Sequence, residues 1–262
     1  MLWQRIVTAV IGIPALLYIV YLGDVYLTLV ITFLTLLGIY EYGNIVRKAG
    51  WQLLTIPLWL GGCLFPLATL FKKDIASSLI FIFFMFCFMY YLYLFPKSSP
   101  SDLAITLLGV LYVSWTFTHL ILLRQLNYGF WLVLFVFIII WSTDTGAYFT
   151  GVYFGKHKFA PSISPNKTWE GFLGGLLFSV LGAYLLIRNI TIPHARYLLL
   201  IAPVISLAGQ IGDLFESSIK RTAHIKDSSR IIPGHGGILD RFDSTLWAAP
   251  LTYYLIVLMG WR

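Results

Sequence analysis

The sequence predicts an all-α, polytopic integral membrane protein with about nine transmembrane helices. Two observations carry that class. Of 262 residues, 59% are apolar and only 11% charged, with a mean hydropathy of +0.83, whereas soluble domains carry about 25% charged residues. The apolar residues also fall into runs of about twenty, the length that crosses a bilayer as helix. Helix is expected because a lipid-exposed backbone must satisfy its own hydrogen bonds.

Taken in order, the runs place spans at roughly 6–23, 25–46, 53–71, 75–95, 102–123, 130–150, 171–188, 197–215 and 245–261. Gly23-Asp24 makes a tight turn between the first two, and Arg47-Lys48, Lys72-Lys73-Asp74 and Pro96 to Pro100 mark further exits. The first run lacks a clear small-residue cleavage site and leads directly into a second, so it is expected to be retained rather than removed as a signal peptide. Cys63 and Cys87 lie inside apolar runs, where a pair of thiols makes neither a disulfide framework nor a zinc site. Residues 1–100 then form N-terminal transmembrane helices. Residues 101–262 form a catalytic transmembrane region with polar loops at 151–170 and 216–244.

The Lys/Arg bias sets the orientation. With the N-terminus in the cytoplasm and nine spans, Arg5, Arg47, Lys48, Lys97, Lys156, Lys158, Lys167, Lys220, Arg221, Lys226, Arg230 and Arg241 fall inside. Lys72, Lys73, Arg124, Arg188, Arg196 and Arg262 fall outside, so the balance is twelve to six. Both polar loops then face the cytoplasm, where nucleotides are available, and the expected location is the cytoplasmic membrane. The net charge of +7 suits anionic lipid headgroups, and the hydropathy argues against a nucleic-acid partner.

The longest polar interval is Ser217 to Asp243, SSIKRTAHIKDSSRIIPGHGGILDRFD. With Asp213 and Glu216 just before it, it gathers five of the eleven acids and five of the eighteen bases. On a helix, Asp213, Glu216, Ser217 and Lys220 share one face. An acid near the end of a span is costly unless it meets water, a cation or the protein interior. Asp240 and Asp243 are three apart with Arg241 between them, and Asp243 is also a candidate N-cap. Carboxylates from separate spans suit a hard cation such as Mg²⁺. Lys220, Arg221, Lys226, Arg230 and Arg241 suit phosphates, or equally a positive-inside loop, and Asp227 stands beside Lys226. His235 is equally suited to a structural or a catalytic role, and the amides of Pro233 to Gly237, Gly236 and Gly237 included, can crowd around an anion.

Two further stretches carry chemistry. In GVYFGKHKFAPSISPNKTWEG (151–171), Ser164, Asn166, Lys167, Thr168 and Glu170 stand at or before a helix start, suited either to phosphate or ribose binding or to ordinary turn and cap duty. In WSTDTGAY, Asp144 cannot face lipid cheaply and is expected to pair with a base or join the metal site. Glu41 is either functional or paired with Arg47.

The pattern S-x-I-K-R-x4-K-D-x-S-x2-I-P-x-H-G-G-I-x-D-R-F-D from Ser217 to Asp243 resembles the signature of the CDP-diacylglycerol synthases, or phosphatidate cytidylyltransferases. The Asp144 stretch and SPNKTWEG from Ser164 resemble the same family, so the likeness is strong over about 142–247. It implies transfer of CMP from CTP to phosphatidic acid, giving CDP-diacylglycerol and pyrophosphate. It also implies a homodimer, and Mg²⁺ with K⁺ as a second ion at the acids matching Asp213 and Asp240. Asp144 and Asp243 are expected as further metal ligands. Asp213, Lys220, Arg221, Lys226, Asp227, His235, Asp240, Arg241 and Asp243 are the expected catalytic set. Asp144, Ser164, Asn166, Lys167, Thr168, Glu170, Ser217, Gly236 and Gly237 are the expected substrate contacts. The alternatives are an ion-coupled secondary transporter, which explains Asp144 and Asp213 but not the two polar loops, a CDP-alcohol phosphotransferase, whose D-G-x2-A-R run does not occur here, and a lipid-binding scaffold.

Overall fold

The computed structural model describes residues 2–260 apart from His194, Pro233 and His235; for residues 2 and 4–9 it describes the backbone alone. Among the described residues the regular structure is helical, with two isolated β-bridges, Lys158 to Thr168 and Ile232 to Gly236. The chain divides into two compact units: Met1–Gln125 with Ile219–Arg241, and Leu126–Ser218 with Phe242–Arg262.

The first unit opens with α1 (Leu2–Leu22), α2 (Asp24–Lys48), α3 (Thr55–Ala68) and α4 (Lys73–Leu94). Gly23 joins α1 to α2 at a φ of +68°, where a side chain would run into the Arg124 guanidinium. That guanidinium donates to the carbonyls of Val20 at 2.7 Å and Tyr21 at 3.0 Å, and so caps the end of α1. A capping box formed by Ser99 and Asp102, with Pro100 in the first turn, starts α5 (Pro100–Gly109). A π-helical stretch, Val110–Trp115, carries α5 into α6 (Thr116–Gln125). Within that stretch Ser114 donates to the carbonyl of Gly61 at 2.8 Å. Ile31, Ile39, Tyr42, Leu58, Val113 and Phe117 are buried in the core of this unit.

The second unit holds α7 (Gly129–Phe154) and α8 (Trp169–Ile187), most of α9 (Tyr197–Thr222) and the body of α10 (Leu239–Leu258). Small residues set its packing, as in helix pairs that must approach closely inside a bilayer. A Cβ on Gly146 would meet the Phe178 ring at 2.5 Å, and Gly174 and Gly182 lie tight against Thr150 and Ser142. Between α9 and α10, Gly212 abuts the Asp243 carbonyl and the Trp247 ring, and Gly209 abuts Ser244. Phe215 packs edge-on against Trp247 with ring centroids 5.4 Å apart.

Six helical stretches among the described residues are long and apolar enough to cross a membrane: Asp24–Lys48, Lys73–Leu94, Pro100–Gln125, Gly129–Phe154, Trp169–Ile187 and Tyr197–Thr222. This supports a polytopic all-α membrane protein, with fewer such helices than the nine spans expected from the sequence. The physical reasons are local. The helix within the expected 53–71 span is only 14 residues long, about 21 Å at the α-helical rise against a hydrocarbon core of about 30 Å. α10 carries Asp240, Arg241 and Asp243 in its first turns.

Candidate active site

In the first unit, Asp240 stands in the first turn of α10 and is almost fully enclosed. Its Oδ1 receives the Lys220 ammonium at 2.6 Å, with the two side chains 6% and 10% exposed. Its Oδ2 accepts from the Ser228 amide at 2.9 Å, the Ser228 hydroxyl at 2.9 Å and the Gly237 amide at 2.8 Å. Burial pushes this carboxyl up. The lysine and the two amides outweigh that effect and hold it below the ordinary carboxylate range. Gly236 has a φ of +86° and sits so close that a Cβ there would lie 2.6 Å from Asp240 Oδ2. The Gly237 amide of the glycine run thus meets an anion, and that anion is a carboxylate of the same chain.

A second carboxylate completes this arrangement. Glu41, midway along α2, is fully buried. Its Oε1 accepts from the Ser229 hydroxyl at 2.6 Å and the Ile238 amide at 2.9 Å. Its Oε2 accepts from the Ser228 hydroxyl at 2.9 Å and the Leu239 amide at 2.8 Å. Arg47, one of the two alternatives that the sequence offered for Glu41, contacts Asn44 at 3.4 Å. A carboxylate inside an apolar helix was the available signal; the serines that answer it lie almost 190 residues away and have no sequence cue of their own.

In the second unit, Asp213 on α9 pairs with Lys167 from the loop before α8, Nζ to Oδ2 at 2.8 Å. Two stretches singled out separately in the sequence thus meet. Asp213 remains 35% exposed, and the Ser217 hydroxyl approaches its other oxygen at 3.4 Å. Thr168 caps α8, accepting from the Gly171 amide at 3.1 Å. Glu170 clasps the loop: its oxygens accept from the amides of Lys156 at 3.1 Å and His157 at 3.2 Å, and one pairs with His157 Nδ1 at 2.6 Å. Ser164 and Asn166 sit on the turn that delivers Lys167, whose amide bonds the Ser164 carbonyl at 3.2 Å. Asp144 lines a small crevice with Ile140, Thr143, Ser206, Gly209 and Ser244 from α7, α9 and α10. Asp243 accepts from the Ser244 amide at 2.6 Å.

The other expected residues are more open. Lys226, Asp227, Arg230 and Arg241 are exposed, and Arg221 donates to the Ile225 carbonyl at 2.8 Å. His235, expected among the catalytic residues, lies outside the described residues, as does Pro233.

The side chains available to a cation are carboxylates and hydroxyls, an oxygen donor set that fits Mg²⁺. Mg²⁺ binds through one or two carboxylates together with waters and substrate phosphates, so it does not demand a protein cage. Among the described residues no three of His, Cys, Asp and Glu gather as one.

Fold and site together define an all-α membrane protein that pairs lysines with aspartates at the ends of its apolar helices. A family model described as the cytidylyltransferase family matches residues 3–259. A phosphatidate cytidylyltransferase of Bacillus subtilis (strain 168) is 37% identical over 98% of both chains. Proteins of the same name from Staphylococcus saprophyticus and Staphylococcus aureus (strain COL) are 47% and 45% identical over 60% of each chain. The chain belongs to the cytidylyltransferase family and is a nucleotidyltransferase enzyme.

Proposed function

We propose that the chain is a phosphatidate cytidylyltransferase that transfers CMP from CTP to phosphatidic acid in phospholipid biosynthesis, yielding CDP-diacylglycerol and pyrophosphate. The observation that carries this reading is the repeated lysine–aspartate pair, Lys167 with Asp213 and Lys220 with Asp240, built from the motif residues themselves. Each pair can trade partners. A phosphate competes for the ammonium and a cation competes for the carboxylate, so substrate and metal can enter without leaving either charge unmatched.

An oxygen of the lipid phosphate attacks the α-phosphorus of CTP, a new P–O bond forms, and the bond to pyrophosphate breaks. The nucleophile is already an anion, so no strong general base is needed, and catalysis rests on positioning and charge neutralisation. Lys167 and its neighbours on the 155–168 loop take the nucleotide side. Lys220, Arg221, Lys226 and Arg241 hold the lipid phosphate and the triphosphate. Asp213 and Asp240, with Asp144 and Asp243, would hold Mg²⁺, with K⁺ as a second ion. When bound, Mg²⁺ supplies charge neutralisation at the phosphates.

The proposed setting is the cytoplasmic membrane, with the site facing the cytoplasm, further crossings by α1, α3 and α10, and a homodimeric assembly. The test is turnover by purified protein in detergent. CDP-diacylglycerol must form only when CTP, phosphatidic acid and Mg²⁺ are all present. Product formation without phosphatidic acid, or none with all three, would reject the reading.

A further inference from the structure

We infer that Glu41 is a positioning residue for the transfer reaction: from α2 it staples the 228–239 loop shut and thereby aims Asp240. The inference rests on the proposed site in one respect, that this loop takes part in catalysis.

The geometry is that of an enclosed anion. Each carboxylate oxygen of Glu41 has two donors within 2.9 Å, one of the four being the Ser228 hydroxyl, whose single proton is shared with Asp240. The four donors come from both ends of one loop, Ser228 and Ser229 at its start and Ile238 and Leu239 at its end. One buried side chain therefore closes the whole segment between them. The same donors reach Asp240. The Ser228 hydroxyl is shared between Glu41 and Asp240 at 2.9 Å to each, and Leu239, whose amide binds Glu41, is the residue before Asp240.

The backbone is shaped to permit this approach. A Cβ on Gly237 would overlap the Ser228 hydroxyl and both Glu41 oxygens. Gly38, one turn before Glu41, lets the Leu239 side chain close in, since a Cβ there would lie 3.3 Å from it. An acid fully buried within a membrane-length helix is costly to keep. Here its solvation is replaced entirely by groups adjoining the site.

The test compares Glu41→Gln with wild type in detergent. Glutamine keeps the shape but turns an amide NH₂ toward two of the four donors. Trypsin cleavage after the exposed Lys226 and Arg230 should speed up about tenfold or more, the fold-change expected for one lost hydrogen bond to a charged group. kcat should fall by a similar factor while KM for CTP changes much less, because the aspartate's aim is disturbed rather than the nucleotide contacts. Should Glu41→Gln fail to fold, Ser229→Ala removes a single donor and should give a smaller change in the same two readouts. Unchanged trypsin resistance in these variants would overturn the inference, and so would faster cleavage with unchanged kcat. Lys220→Met separates the two levels: if it keeps full turnover, the proposed site is wrong, whereas its loss alongside an unaffected Glu41→Gln condemns only the role of Glu41.

Discussion

Lys220→Met tests the buried ion pair most sharply. Methionine keeps most of the apolar stem and removes the ammonium that sits 2.6 Å from Asp240. Solvent screening is slight, because only 10% of the lysine side chain and 6% of the aspartate side chain are exposed. Removing one partner of such a pair costs about 3–5 kcal/mol. Three donors, two from Ser228 and one from Gly237, stay on the other carboxylate oxygen. Hydrogen bonds to a charged group contribute about 1.5–3 kcal/mol each, so the expected loss lies at the low end, about 3 kcal/mol. The pH dependence carries a second signature. Asp240 is held below its ordinary pKa in the folded protein. Its contribution is therefore fully present above the unfolded value of about 4 and lost as pH falls through the folded one. Without Lys220 the folded pKa rises, so the variant's deficit against wild type should be largest at neutral pH and should narrow as pH falls through about 4 and below, where protonation relieves the unpaired carboxylate. The assay is unfolding in detergent at several pH values, read by tryptophan fluorescence. Equal stability and superimposable pH profiles would refute the reasoning.

Three further outcomes are expected. Asp213→Asn should lower CTP-dependent turnover about a hundredfold or more while the protein elutes and unfolds as wild type, since the partly exposed Lys167 pair contributes little to stability; near-normal turnover would remove Asp213 from the site. Thr168→Ala deletes the α8 cap and should destabilise the second unit by about 1 kcal/mol, measurable as faster amide exchange at Trp169–Phe172. Chelation with EDTA should stop turnover and added Mg²⁺ should restore it, whereas activity that persists in EDTA would contradict the Mg²⁺ assignment.

Much of this was legible from sequence, and what was missed has physical causes. Composition and run length determine a helical membrane protein because lipid leaves the backbone few other options. The span count was harder, since an apolar run does not reveal where the chain stops being helix: Thr55–Ala68 ends short of its run. Motif spacing singled out Asp213, Lys167, Lys220 and Asp240 as candidates, but not that they pair two by two, because pairing depends on packing between elements distant in sequence. Thr168 and Glu170 show the limit from the other side. Their positions invited a substrate role, whereas Thr168 caps α8 and Glu170 binds the 155–168 loop. Glu41 stood open between a functional role and a pair with Arg47, because nothing near it in sequence indicates that Ser228 and Ser229 will reach it.

The most direct measurement follows the label. Purified protein is given CTP labelled at the α-phosphorus, or in parallel at the γ-phosphorus, with phosphatidic acid and Mg²⁺. The α-label should enter the extractable lipid one for one with γ-labelled pyrophosphate released to water, and both should vanish in Asp213→Asn. Label from the γ position in the lipid, or α-label transfer undiminished in the variant, would contradict cytidylyl transfer at this site.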